Sequence, residues 1–281
     1  MSGALILALG AMACFGMADL VYKRAAGASV PAHQLLMVQS WVFAPLILAY
    51  GLLTGSIAFR WPMLWGVAAG TVAYAGFLNF AASLRGGAVS VNAPIFRLSF
   101  AVTAALAIGV LGEPLTVFKS TGLGLALLAT WMLLAGPGGA GRTSRASLVR
   151  VLMATVLVGI ANFMYKVGLG AGATPATMLL GQVAVVVPLS ICVCVYLDGA
   201  VRPVRATWVY APIAAVLLGG AFTLMVEGLA RGQASVVIPI AQMGFVLTAL
   251  VGFTVLGEAF SFRKGVGLLT AIAALACLAN G

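Results

Sequence analysis

Residues Val110–Glu113 read Val-Leu-Gly-Glu, and Val255–Glu258 read Val-Leu-Gly-Glu again, 145 positions later. At that offset Gly87, Ser90, Val91, Pro94, Ile95, Phe100, Thr103, Lys119 and Gly122 recur as Gly232, Ser235, Val236, Pro239, Ile240, Phe245, Thr248, Lys264 and Gly267. Near the start of each half, Gly16, Ala18, Tyr22, Lys23, Leu36, Gln39 and Pro45 recur 143 positions later as Gly159, Ala161, Tyr165, Lys166, Leu179, Gln182 and Pro188. The chain is two fused copies of one unit.

The solvent of this unit is lipid. The chain is 63% hydrophobic and only 7% charged, where a soluble domain carries about 25% charged residues. In lipid every backbone polar group must be satisfied inside helices or a closed barrel. Long apolar runs rather than short alternating ones select helices. Segments of spanning length fall at about 3–22, 33–54, 62–83, 88–111, 116–136, 148–168, 175–197, 207–229, 234–256 and 262–280. The first begins with no basic stretch before it and reads as a transmembrane helix, not a cleaved signal. The longest polar stretch, within 136–147 (GPGGAGRTSRAS), joins the fifth and sixth segments. The expected organisation is a first repeat over 1–136, a linker over 137–147 and a second repeat over 148–281.

Five spans per repeat is an odd number, so each repeat ends on the face opposite its start. The second copy must be inverted relative to the first, with a pseudo-two-fold axis in the membrane plane. The fold class is therefore an all-α integral membrane protein of ten transmembrane helices in two inverted five-helix repeats. Basic residues give the orientation. Loops after the odd-numbered segments hold Lys23, Arg24, Arg85, Arg142, Arg145, Arg150, Arg202, Arg205, Arg263 and Lys264, whereas the other side holds Arg60, Lys119, Lys166 and Arg231. The positive-inside rule puts the first set in the cytoplasm and both termini outside. The net charge of +10 is thus topological, and no basic stripe suggests nucleic acid. The expected surroundings are the bilayer of a bacterial-type inner membrane, with a small solute as ligand, and the chain is read as a monomer.

The stretch GMADLVYK (Gly16–Lys23) resembles the WGxxFxxxK pattern that opens EamA-type members of the drug/metabolite transporter superfamily, with Phe15 at the position of the Trp. Gly86–Thr116 resembles the family's fourth helix, with small residues, a Pro and a closing Gly-Glu. Gly112–Ala129 and Gly257–Leu269 resemble its fifth-helix opening. The likeness spans both halves, and within the superfamily the chain looks most like amino-acid exporters of the YddG kind. The resemblance implies a cavity formed by segments one to four and six to nine, with segments five and ten as outer braces. It implies alternating access and a solute near the midplane. A cationic drug or polyamine exporter of the same superfamily is one alternative. A non-transporting membrane subunit or lipid-headgroup flippase partner is another.

Ionisable groups deep in lipid are costly, and each needs a reason. Arg97 lies mid-segment, three residues after Pro94, and the residue matched to it after Pro239 is Gln242. The guanidinium fork suits a carboxylate, either of a solute or of Asp19. Asp19 is four residues before Lys23 and can pair with it, as Asn162 can meet Lys166. Otherwise Asp19 titrates or meets a substrate amine. Glu227 has Ala82 as its mate, so it serves coupling or pairs with Arg231. Gln39 and Gln182 each precede a proline by six residues, Pro45 and Pro188. They fit a shared architectural role with cavity lining beside it. Tyr74, Asn79 and Asn92 are candidate wall residues, and Pro94, Pro239, Pro45 and Pro188 are candidate hinges. Glu113 and Glu258 suit capping of the helix that follows each. Cys14, Cys192, Cys194 and Cys277 read as small buried hydrophobes. His33 is the single histidine and by sequence supports no metal site. No enzyme motif or cofactor site appears. The orientation is tested by a Gly139→Cys variant lacking the native cysteines: a membrane-impermeant thiol reagent should leave it unlabelled in intact cells, and external labelling overturns the assignment.

Overall fold

The computed structural model describes residues 2–84, 89–134, 144–254 and 261–281. The second Val-Leu-Gly-Glu with Glu258, together with Gly87, Arg85, Arg142 and most of the linker, lies outside the described residues. The helices are α1 (Ser2–Gly27), α2 (Ala32–Leu53), α3 (Met63–Ser83), α4 (Val89–Arg97), α5 (Ser99–Leu111) and α6 (Val117–Leu134) in the first half. The second half holds α7 (Arg145–Gly170), α8 (Pro175–Asp198), α9 (Thr207–Arg231), α10 (Ala234–Gln242), α11 (Gly244–Thr254) and α12 (Phe262–Ala279). Among the described residues nine segments are long and apolar enough to span a membrane, and α6 supplies a shorter apolar helix. Two of the nine are composite: α4 continues into α5, and α10 into α11. Ten crossings result, in two inverted sets of five.

The two composite crossings break at matched points, a detail the continuous segments expected from sequence did not contain. The turn at Leu98 follows Pro94 by four residues, and the turn at Met243 follows Pro239 by four. Proline removes an N–H and its ring clashes with the carbonyl one turn back. The chain tightens instead: Leu98 N–H donates to Ile95 O at 3.1 Å and Met243 N–H to Ile240 O at 3.1 Å. Pro45 and Pro188 lie inside α2 and α8 without interrupting them.

Helix contacts close a ring in the order α1, α9, α2, α8, α3, α7, α4–α5, α10–α11 and back to α1. Helices of the two repeats alternate all the way round. Helices α6 and α12 pack on each other beside α4 and α10, outside that ring. Within the ring the larger helix contacts of each repeat are therefore with the other copy, which buries most of its apolar faces. The outward faces carry apolar stripes at helical spacing, such as Val149, Leu152, Met153 and Val156 on α7 and Val209, Ile213 and Val216 on α9, all exposed. Such stripes belong against lipid tails.

Small residues set the close approaches. A Cβ on Gly66 would sit 2.2 Å from Met178 O, and one on Gly181 2.7 Å from Met63 O, so α3 and α8 touch through their backbones. At the first break, a Cβ on Gly159 would sit 2.9 Å from Ser99 O. At the second, one on Gly16 would sit 2.5 Å from Gly244 O. Gly16 and Gly159 are repeat mates, as are Ser99 and Gly244. Thr103 Oγ1 donates to Gly159 O at 3.0 Å and Thr248 Oγ1 to Gly16 O at 3.1 Å. The duplicated residues are thus the crossing points of the two copies. A Gly66→Val variant should lower thermal stability or folding yield sharply, because backbone atoms cannot yield to an overpacked side chain costing about 1–3 kcal/mol or more. Gly109→Val, where the added carbon meets nothing within 4 Å, is the control and should behave as the wild type in a melting assay.

Candidate functional site

Both helix breaks deliver a polar side chain to the same place. Arg97 is the last residue of α4 and Gln242 the last of α10. Arg97 forms an ion pair through Nη2 with Asp19 Oδ2 of α1. Its Nη1 reaches Gln242 Oε1 at 3.4 Å, the long end of hydrogen bonding. Proline places the break, the break ends the helix, and a cation at a helix C-terminus meets the negative end of its dipole. The α5 N-terminus that follows has no side-chain cap. The pair is not sealed: the Arg97 and Asp19 side chains keep 18% and 26% exposure.

Asp19 therefore pairs across the ring with Arg97 and not along α1 with Lys23. The reason is geometric, since Arg97 arrives at the end of α4 with a guanidinium fork that the Lys23 ammonium does not present. In the second copy Lys166 Nζ donates to Leu229 O at 2.8 Å and to Gly232 O at 2.6 Å, so it does not meet Asn162. Asn162, the mate of Asp19, is buried with its Nδ2 unpartnered among the described residues. The sequence offered a signal here, because its partner in the other copy is an acid, but the reading paired it with Lys166.

Aromatic side chains sit beside the centre. Phe222 of α9 packs edge-on to Phe15 at 5.5 Å and to Phe43 at 6.0 Å between centroids, and meets Tyr165 at 6.4 Å. Phe80 of α3 stacks on Phe96, the neighbour of Arg97, at 4.2 Å. Gln39 accepts from Tyr22, and Gln182 accepts from Tyr165 at 2.5 Å. Each Gln thus ties the second helix of its repeat to the first, which is the architectural role. The Tyr partners recur in the sequence at the same offset, yet nothing in one dimension pairs them with Gln.

The remaining candidates lie in other hydrogen-bonded groups. Asn92 Nδ2 donates to Ser83 O at 3.0 Å and to Ser147 Oγ at 2.9 Å, joining α4 to α3 and α7. Asn79 Nδ2 donates to Ala75 O at 2.9 Å and lines a groove of about 760 Å³ with Arg145 and Arg150. Tyr74 is buried with its hydroxyl unpartnered among the described residues. Glu227 accepts from Arg231 at 2.8 Å and from Tyr50 at 2.5 Å.

The first Gly-Glu corrects an expectation. Gly112 takes the left-handed conformation (φ 69°) that ends α5, which suits glycine. Glu113 does cap a helix N-terminus, but of α10 in the other repeat and not of α6. Its Oε1 accepts from Ala234 N–H at 2.7 Å and its Oε2 from Ser235 N–H at 2.9 Å. Lys119 donates to Pro114 O at 2.8 Å and to Gln233. Glu113, Lys119 and Lys166 thereby converge on the short link between α9 and α10 and fasten the ring at that face. The sequence-local choice fails because α10 presents its free N–H groups directly to this carboxylate.

Comparison with curated proteins finds no match. One solved crystal structure of a protein superposes with a TM-score of 0.85 at 18% identity, covering 99% of this chain and 96% of that one. At that identity the likeness speaks to the fold alone. The profile of the EamA-like transporter family matches twice, over residues 2–135 and 146–280. Matched in both halves and over nearly its whole length, the chain belongs to the EamA-like transporter family.

Proposed function

We propose that this transporter exports small zwitterionic metabolites, amino acids foremost, by alternating access, with Arg97 as the anchor for the solute carboxylate. The observation that carries this reading is the incomplete engagement of Arg97. Of the two terminal nitrogens, Nη2 is held by Asp19, and Nη1 has, among the described residues, a 3.4 Å contact to Gln242. A carboxylate offers that nitrogen a shorter, charge-assisted bond, and the displaced Gln242 amide remains to meet another polar group of the solute. Asp19 stays beside it as the acid nearest a solute amine, and Asn162 Nδ2 is a buried donor that a solute oxygen could satisfy. The broken helices that supply Arg97 and Gln242 match the general design of carriers whose sites form at discontinuous helices between inverted repeats. Coupling through Asp19 or Glu227 and bending at Pro94 and Pro239 belong to the same proposal. The cationic-drug reading is disfavoured because Asp19 already holds a cation.

The test is a counterflow screen of amino acids in liposomes with three variants. Arg97→Ala should lose about tenfold or more of the exchange, the worth of a charge-assisted bond of about 1.5–3 kcal/mol. Unchanged exchange overturns the anchor. Asp19→Asn leaves Arg97 unpaired and should lower the melting temperature. The double variant Asp19→Asn with Arg97→Gln removes both charges and should recover stability without recovering transport. Recovery of transport in the double variant would assign the pair a structural role only.

A further inference from the structure

At the face where α2 begins and α8 ends, three side chains that the transport reading does not use come together. Cys194 and Asp198 stand four residues apart on α8, hence on one helix face a turn apart. His33 comes from the first turn of α2, in the other repeat. His33 Nε2 lies 2.9 Å from each oxygen of the Asp198 carboxylate. Cys194 Sγ donates to the His33 carbonyl oxygen at 3.4 Å. Sulfur, imidazole nitrogen and carboxylate oxygen all fall within 4.8 Å of one another. Around a tetrahedral zinc ion with bonds of about 2.0–2.3 Å, ligand atoms stand roughly 3.3–3.8 Å apart, so side-chain adjustments of about 1 Å or less, which open the His33–Asp198 pair slightly and draw the wider separations in, would complete the set.

The surroundings are those of a built site. Gln34 is 6% exposed and is held at both ends: its Oε1 accepts from Val204 N–H at 2.9 Å and its Nε2 donates to Asp198 Oδ2 at 2.7 Å. An outer amide that fixes a ligating carboxylate is the usual support of a metal centre. Cys194 is buried among Val30, Leu35, Val38 and Ala211, an apolar shell behind the sulfur. An entry path exists in front, because His33 lines a groove of about 470 Å³ with Tyr196 and Leu197. The His33 and Asp198 side chains keep 17% and 28% exposure.

The geometry points to a binding site for a borderline-soft divalent cation, Zn²⁺ by preference, held by His33 Nε2, the Cys194 thiolate and an Asp198 oxygen. The donor set selects the ion: thiolate with imidazole disfavours Ca²⁺ and Mg²⁺, which require oxygen ligands. Binding releases the thiol proton to solvent as the S–metal bond forms. Three protein ligands leave the fourth tetrahedral position to water or to an incoming donor. The ion bridges α2 and α8, neighbours in the ring from opposite repeats, and so cross-links the two copies at this face. The sequence dismissed His33 because its partners lie 161 and 165 residues away.

The experiment is titration of the purified, tag-free chain in detergent with Co²⁺ and with Zn²⁺. One equivalent of Co²⁺ should produce near-ultraviolet thiolate-to-metal absorption, which one equivalent of Zn²⁺ should abolish. Cys194→Ser should remove the absorption while Cys192→Ser, at an exposed neighbour, keeps it. His33→Ala should remove stoichiometric binding, and Gln34→Leu should weaken it about 10–100-fold. Zn²⁺ should also raise the melting temperature of the wild type and not of Cys194→Ser, a readout in which each protein is its own folding control. Absence of the absorption in the wild type, or its persistence in Cys194→Ser, overturns the site. Neither result bears on solute exchange.

Discussion

Inside a bilayer the backbone has no water to bond, so every N–H and C=O must find a partner within the protein. That requirement makes each crossing a helix, and it makes any interruption costly unless neighbouring groups take up the freed atoms. The two interruptions here follow Pro94 and Pro239, and hydroxyl bonds between the copies stand beside them: Thr155 Oγ1 of the second copy donates to Ile95 O of the first at 2.9 Å, and Thr248 Oγ1, just past the second break, donates to Gly16 O of the first copy. The breaks are tolerated because the two copies interlock, and they interlock because glycine lets backbones meet there. Ring order, helix breaks and the polar centre are three consequences of one constraint.

Electrostatics then breaks the symmetry that duplication supplied. A charge in lipid persists when it is paired. Arg97 and Asp19 are paired with each other, while their mates Gln242 and Asn162 are neutral amides. The centre therefore has one charged half and one neutral half, meeting where Arg97 touches Gln242. The same duplication yields opposite uses elsewhere. Tyr22–Gln39 and Tyr165–Gln182 keep their pairing in both copies, because they hold the first two helices of each repeat together. Glu113 spends its carboxylate on the other copy's α10, joining what the fold would otherwise leave as a free helix end.

Several features were legible in one dimension for a clear physical reason. Apolar runs of spanning length reveal helices because the bilayer has fixed thickness. An odd number of spans per repeat forces inversion by topology alone. Arg97 stood out because an arginine after a proline in an apolar run needs a partner. Partners chosen by proximity along the chain did not all hold: Asp19 meets Arg97, which the sequence had also offered, and not Lys23; Lys166 does not meet Asn162; and Glu113 caps α10 and not α6. Local spacing of four residues is a sound rule on an isolated helix, and it holds at Glu227 with Arg231, but in a packed ring a group on another helix of the same copy outcompetes it at Asp19 and at Lys166.

The sequence by itself determined the solvent, the duplication, the inversion and which residues depart from the repeat. These follow from composition and periodicity, which are properties of order along the chain. Only the tertiary structure decided that the helices of the two copies alternate around a ring, that both prolines after Ser90 and Ser235 break their helices at matched points, and which side chains meet. Asp19 with Arg97, Glu113 with Ala234, and His33 with Cys194 and Asp198 are contacts between distant stretches. The reason is that helix packing is fixed by surface shape, here by where Gly16, Gly66, Gly159 and Gly181 let backbones approach, and a linear pattern does not state which surfaces will meet.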